Sequence, residues 1–487
     1  MIGQIRDRDD GWQARVRPLL RVIAVLIPAA MLVVLLRRPV WDVDIFWQLK
    51  LGEMILDHGG PIPTEPFSAK HLGEPLPAVA WAGQAVMALV RRIGGWELLR
   101  VFDAMLWLGG FWAVALACRM RGAATGAVAL ALGMAFVVTV TTASVRPQSF
   151  ACLCFGLLLA LRRLELKPAT AIGLGVLLLL VWQNLHPSVS VGVAAMAFAS
   201  LPGWVGWLRG RGPVPIVPTA LAVIGAGAMF ATPDGFSILA TSATNAEASM
   251  AIGASEWLPL WIPANQPNAV IAAEVVLVTS WLGWRYRRLD AAEVATAAGL
   301  LLMTIATYRF MLFWGVAMVP VIARAASAPA AKPTRGEGLA VAGSILLVAI
   351  VMPVLAPVRF APALPLDAVQ HLRKYPVHGT IYGDFPFGGV IIDTGYPDWK
   401  VAYDGRYYRY SREEWQYNGG IENGIVPLVD VVRKWNPAAF VIDPRHNAPI
   451  AQELARSSAW QRIYATGRVV VYVPRIIRRA SPGSARR

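Results

Sequence analysis

The feature that most constrains this chain is a recurrence of apolar runs, each about 15–22 residues long and set apart by short basic loops, a length that crosses a hydrocarbon core. In lipid every backbone polar group has to be satisfied within its own segment, so runs of this kind fold as helices. They fall at about 20–36, 99–118, 122–143, 147–161, 169–185, 188–208, 214–232, 268–284, 291–307, 310–326 and 338–356. That makes about 11 transmembrane helices, with the short stretch 77–90 left as an interfacial or half-buried helix. Of the 487 residues 56% are hydrophobic and 15% charged, where a soluble protein carries about a quarter charged residues. A soluble enzyme, a disordered chain and a secreted disulfide scaffold are thereby excluded. Cys118, Cys152 and Cys154 all lie within apolar runs and imply neither a disulfide framework nor a thiolate metal site.

Arg37 and Arg38 follow the first run directly, with no small-residue cleavage site, so that run reads as an uncleaved span. With the N-terminus inside, every short inner loop is basic: Arg119 and Arg121; Arg162, Arg163 and Lys167; Arg209 and Arg211; Arg285, Arg287 and Arg288; Arg324, Lys332 and Arg335. The short outer loops carry only Arg146 and Arg309. The expected topology is N-in and C-out. Much of the net charge of +15 is then an orientation signal, and no nucleic-acid partner is expected.

Three pieces remain outside: a first loop at 37–98, a loop at about 233–267, and the chain from about 358. The last alternates strand-like runs (GTIYGD, KVAYD, AAFVID, RVVVYV) with helix-like ones (LDAVQHLRKY, VPLVDVVRKW, APIAQELARS). The expected organisation is a transmembrane domain at 1–357, an extracytoplasmic α/β domain at 358–475 and a basic disordered tail at 476–487.

Charged groups near membrane depth are costly and are functional candidates by default. Along this topology they collect on the outer face: Asp42 and Asp44 after the first span, Arg146 and Gln148, Gln183, Asn184 and His186, Glu256 and Trp257, and Tyr308 and Arg309. The first loop, WDVDIFWQLKLGEMILDHGGPIPTEPFS, reads as an acidic pair, a short amphipathic helix at about 45–57, and a proline-stiffened turn. Asp44 is either a helix cap or a carboxylate base that takes a proton from an attacking hydroxyl, and the two roles are compatible. Lys50 lies about a turn from the pair, close enough to meet a phosphate. His186, Arg146 and Arg309 have bland readings too, as a helix-end hydrogen bond and as snorkelling anchors. FPFGGV reads as a turn, Asp404-Gly405-Arg406 as a turn with a salt bridge, and His58 and His71 as solvated. The aromatic stretch at 407–417 suits sugar stacking and ordinary domain contacts equally.

These residues together resemble a known pattern. Asp42-x-Asp44, Trp47, Gly52, Ile62-Pro63 and Glu65-Pro66-Phe67-Ser68 are similar to the first loop of bacterial GT-C-fold membrane glycosyltransferases. In plan these resemble lipid A aminoarabinose transferase, protein O-mannosyltransferases and oligosaccharyltransferase catalytic subunits. The resemblance extends through Arg146-Pro147, Asn184-Leu185-His186, Glu256-Trp257 and Arg309-Phe310 to Phe387-Gly388-Gly389 and Asp404-Gly405-Arg406 with Tyr410. It implies transfer of a hexosyl or pentosyl group from a polyprenyl-phosphate donor to an extracytoplasmic envelope glycan, lipid or protein. By the same resemblance Asp44 is the general base with Asp42 in support. Arg146, His186, Arg309 and Lys50 are candidates for the donor phosphate, and Glu256 is a second acid, a metal ligand or an ion-pair partner. Asp404, Arg406 and Tyr410 are acceptor-side candidates. A divalent metal (Mg, Mn or Ca) near the first loop is also implied, with Asp42, Asp44 and Glu256 as its candidate ligands. The chain departs from the pattern with Glu65 where an Asp is usual, and with Val79-Ala80 before Trp81 where a His-Glu pair is usual. Two other classes compete: a non-catalytic envelope-glycan assembly subunit, and a transporter or flippase of a lipid-linked solute, which calls for polar groups at mid-membrane.

Overall fold

A computed structural model describes residues 2–286, 289–327 and 333–476. Arg287, Arg288, Lys332 and the tail from 477 lie outside the described residues. Chain contacts divide the protein into two units. The first comprises residues 1–38, 94–232 and 255–358; the second comprises 39–93, 233–254 and the chain from 359.

The first unit is helical. Among the described residues eight helical segments are long and apolar enough to cross a membrane: Pro18–Arg37, Trp81–Met120, Thr125–Thr142, Pro168–Leu185, Val189–Leu208, Pro263–Arg285, Tyr308–Ala325 and Arg335–Leu355. Ile216–Ala228 and Ala291–Ala306 are shorter apolar helices, and Gln148–Leu164 is a further helix at an expected span. Small residues let these helices approach closely. A Cβ on Gly110 would lie 2.1 Å from the Cys152 carbonyl oxygen, and one on Gly156 2.1 Å from that of Gly110, so two backbones meet there. The core is centred on the helix Met311–Ala325, nearly all of whose residues are buried, whereas Arg335–Leu355 has none buried, as expected of a helix bathed in lipid.

The region 77–90, expected as a separate interfacial or half-buried helix, is helical from Trp81 but is not a separate element. Its latter part opens a continuous helical stretch, Trp81–Met120, interrupted only at Gly94 and Gly95, where the backbone leaves helical geometry. Gly95 takes φ +62°, which glycine adopts without steric cost. The boundary between the two units falls at this break.

The second unit is built on a five-stranded sheet, β1 (Gly379–Gly383), β2 (Trp399–Val401), β3 (Ala439–Ile442), β4 (Trp460–Ala465) and β5 (Val470–Pro474), in the order β2-β1-β3-β5-β4. β1 runs parallel to β2 and β3, and β5 antiparallel to β3 and β4. β3, in the middle, is buried at every residue, the pattern of a strand covered on both faces. The first loop belongs to this unit. Val401 donates to the Phe67 carbonyl at 2.9 Å and accepts from Ala69 N–H at 3.0 Å, so residues 67–69 run beside β2. FPFGGV is more than a turn, because Gly388 and Gly389 open the helix Gly388–Gly395.

Candidate functional site

The second unit holds six of the expected residues. Asp42 is buried, and its Oδ1 accepts from the Asp44 backbone N–H at 2.9 Å. The helix Asp44–His58 begins at Asp44 itself, with Val43 in the capping position. The cap-like acceptor is therefore Asp42, which leaves the half-buried Asp44 carboxylate for other partners. Asp44 Oδ1 accepts from Trp47 Nε1 at 3.1 Å.

Two glycines from the tail motifs shape the bed for this acidic pair. A Cβ on Gly389 would sit 2.3 Å from the Val43 carbonyl oxygen, and one on Gly405 only 2.0 Å from Asp44 Oδ1. Gly405 is not in the left-handed region, so its requirement is for space alone. The FGG and DGR segments thus receive, respectively, the backbone and the carboxylate of Asp42-x-Asp44.

Asp404, Arg406 and Tyr410 form a closed clamp. Arg406 donates to Glu65 through Nη1 (2.6 Å to Oε2) and Nη2 (2.9 Å to Oε1), and to Asp404 through Nε (2.9 Å to Oδ1) and Nη2 (2.7 Å to Oδ2). Tyr410 O–H donates to Asp404 at 3.0 Å, and Glu65 also accepts from the backbone N–H groups of Phe67 and Ser68. The side chains of Arg406, Glu65 and Asp404 are all 0% exposed. Burial pushes the Asp404 carboxyl up, but the Arg406 guanidinium beside it holds it below the usual carboxylate range. Expected on the acceptor side, these three residues are instead closed off from solvent and hold the first loop on the α/β domain. Glu65, where the chain departs from the pattern, is part of this clamp. Lys50 pairs with Glu53 at 2.7 Å, and His71 is not solvated but bonds Glu74 and Glu414. Tyr403, Tyr410, Trp415 and Trp435 pack as core, so much of the aromatic stretch makes domain contacts.

The first unit holds the other four. Glu256 accepts from Arg309 Nη1 at 2.6 Å and from Arg146 Nη2 at 3.2 Å, one carboxylate shared by two guanidiniums. Local hydrogen bonds set it there: Tyr308 N–H donates to the Leu258 carbonyl and Leu260 N–H to that of Ile305, each at 3.0 Å. The Arg309 guanidinium lies 4.4 Å over the Trp257 ring. Burial raises the Glu256 carboxyl, yet the Arg309 and Arg146 charges outweigh it and hold it down at about 2. Of its three expected roles, these contacts show the ion pair. His186 shares a hydrogen bond with Ser188 Oγ at 2.8 Å. Burial first, and then the Arg309 and Arg146 charges, push it down to about 3, so at neutral pH it offers a hydrogen bond and no charge.

Asp103 joins this group without having stood out in the sequence. It is buried, and its Oδ1 accepts from Arg146 N–H at 3.2 Å and Ser149 Oγ at 2.7 Å, which fixes the turn that carries Arg146. A single acid inside the apolar run 99–118 is the signal that marks it.

Asp42, Asp44 and Glu256 are also the candidate metal ligands. Among the described residues no group of three or more His, Cys, Asp or Glu converges, and both Glu256 oxygens face guanidiniums.

No family model and no curated protein matches the sequence. Solved structures do match the fold. The oligosaccharyltransferase AglB from Archaeoglobus fulgidus, solved with an inhibitory peptide and a dolichol phosphate, aligns over 93% of this chain and 74% of its own, at 12% identity and TM-score 0.50. The apo oligosaccharyltransferase of the same organism aligns over 87% and 69%, at 13% identity and TM-score 0.49. ArnT from Cupriavidus metallidurans bound to undecaprenyl phosphate aligns over 95% and 98%, at 14% identity and TM-score 0.42. The chain is a membrane protein with the GT-C fold that the sequence resemblance implied.

Proposed function

We propose that this protein is a membrane glycosyltransferase that moves a sugar from a polyprenyl-phosphate donor to an extracytoplasmic envelope glycan, lipid or protein. The observation that carries the reading is the Asp44 carboxylate, half-buried, oriented by Trp47 and accommodated only because residue 405 lacks a Cβ. The fold it shares with an oligosaccharyltransferase solved with a dolichol phosphate supports the donor class.

In this reading an acceptor hydroxyl oxygen attacks the anomeric carbon and its proton passes to Asp44. The bond from that carbon to the phosphate oxygen breaks, and the electron pair leaves with the polyprenyl phosphate. Asp42 acts through the Asp44 backbone and is a positioning residue. Arg146 and Arg309, gathered on Glu256, neutralise the departing phosphate, where positioning and charge supply most of the rate. The site and the α/β domain face the outside of a bacterial inner membrane, with the N-terminus inside. The convergence of Arg146, Arg309 and Glu256 at helix ends favours an enzyme over a transporter, whose polar groups lie at mid-membrane.

Titration of purified wild type, Asp44→Asn and the double variant Arg146→Gln/Arg309→Gln with undecaprenyl phosphate separates the roles. Wild type and Asp44→Asn are expected to bind alike, and the double variant at least about tenfold more weakly. Equal binding by all three removes the arginines from the donor site.

A further inference from the structure

The helices that follow Arg146 and Arg309 have a second charge cluster at their far ends, about 22–24 Å from those arginines by helical rise. Arg162 and Arg163 end the helix Gln148–Leu164, Arg324 lies in the last turn of Met311–Ala325, and Glu293 lies in the first turn of Ala291–Ala306. Glu293, whose side chain is 2% exposed, pairs with Arg163 at 2.7 Å, Arg324 at 3.1 Å and Arg162 at 3.6 Å. Three guanidiniums thus share one carboxylate. Nearby, Arg119 has its own carboxylate in Glu337 and Arg121 has Glu165.

The surplus charge faces a recess. Leu159, Arg162, Arg163, Glu293, Thr296 and Pro320 line a small, partly open recess. Arg163 is 8% exposed, and the Nε atoms of Arg162 and Arg163 are buried with no hydrogen-bond acceptor among the described residues. A buried guanidinium donor without an acceptor is costly, and a tetrahedral oxyanion is the acceptor whose geometry matches several guanidiniums at once.

We propose that the mouth of this recess is a binding site for a phosphate oxyanion, held there by Arg162 and Arg163, with a membrane phospholipid headgroup or free phosphate as its source. The apolar wall of Leu159 and Pro320 suits the acyl region of a lipid, while Glu293 keeps the guanidiniums gathered. The inference does not rest on the transferase reading, since the site lies at the opposite helix ends from Arg146 and Arg309.

Native mass spectrometry and thermal unfolding of the purified full-length protein test it. Three probes are compared: phosphatidylglycerol, phosphatidylcholine and inorganic phosphate. Phosphatidylglycerol is expected to be retained and to raise Tm in wild type and in Arg146→Gln/Arg309→Gln. Its apparent affinity should fall about tenfold in Arg162→Gln, which leaves the closer Arg163–Glu293 pair intact, and should be unchanged in the loop variant Arg211→Gln. An equal, Arg162-dependent shift with inorganic phosphate alone supports the site and identifies free phosphate as its source. If Arg162→Gln binds both anions as wild type does, or if phosphatidylcholine is retained equally, the proposal is overturned.

Discussion

Replacing Gly405 by alanine is the sharpest perturbation of the acidic pair. The added methyl would lie 2.0 Å from Asp44 Oδ1, so the carboxylate must retreat by about 1 Å to reach a tolerable contact. No backbone strain accompanies the change, because Gly405 is not among the glycines at positive φ. A displacement of about 1 Å at a catalytic group costs about 10²-fold, equivalent to about 2.7 kcal/mol of transition-state stabilisation. Gly405→Ala should therefore lower sugar transfer about 10²-fold while the protein still inserts and accumulates. Stability supplies an internal control. Gly405→Ala should lower Tm in the wild-type background and far less in Asp44→Ala, where the colliding oxygen is gone. Transfer is read as the envelope mass difference per unit of membrane protein, and Tm on the purified variants. Full transfer by Gly405→Ala at wild-type Tm would refute the reasoning, because it would mean that the position of the Asp44 carboxylate is immaterial.

Other outcomes follow from the same geometry. Arg406→Gln leaves Glu65 and Asp404 buried against a neutral group and should cost about 3–5 kcal/mol, seen as loss of folded protein; Arg406→Lys should not restore it, since two bidentate contacts need the planar fork. Because the Glu256 carboxyl is held at about 2 in the fold against 4.5 ordinarily, its contribution to stability is full above about pH 4.5 and fades as pH falls through about 2. Tm followed downward from about pH 6 to about pH 3 should fall less steeply in Glu256→Gln than in wild type. His186, pushed down from 6.5 to about 3, stays neutral in the fold while the unfolded chain takes up a proton, so its burial disfavours folding increasingly as pH drops through 6.5 toward 3. His186→Asn should accordingly flatten the fall in Tm over that range, measured by thermal scans, and leave the neutral-pH rate within a few-fold of wild type.

The helical unit is legible in the sequence because its signal is long-range and redundant: apolar runs, basic loops and a single acid or arginine at each critical end. Arg146, Arg309 and Glu256 stand out because a charge beside an apolar run needs a reason. Which partner each finds is not legible, since Arg146 and Glu256 are 110 residues apart and only folding brings them together. The acidic pair is visible in the first loop, but the glycines that accommodate it lie in the tail, and a glycine in sequence does not say what approaches it. Asp404-Gly405-Arg406 reads as a turn with a salt bridge, which it has, but the carboxylate that completes its clamp, Glu65, is 341 residues from Arg406. The stretch Trp81–Met120 reads as two pieces because Arg91, Arg92 and a glycine pair interrupt its hydrophobicity, although they leave it helical but for a kink.

The central claim, that Asp44 is the base of a sugar transfer, is tested most directly by mass spectrometry of envelope glycans and lipids from three strains: gene deleted, wild type restored, and Asp44→Asn restored at equal protein level. The account predicts a single-sugar mass difference that vanishes on deletion and returns only with wild type. Restoration by Asp44→Asn would contradict the assignment of the base, and the absence of any sugar difference among the strains would contradict the transferase itself.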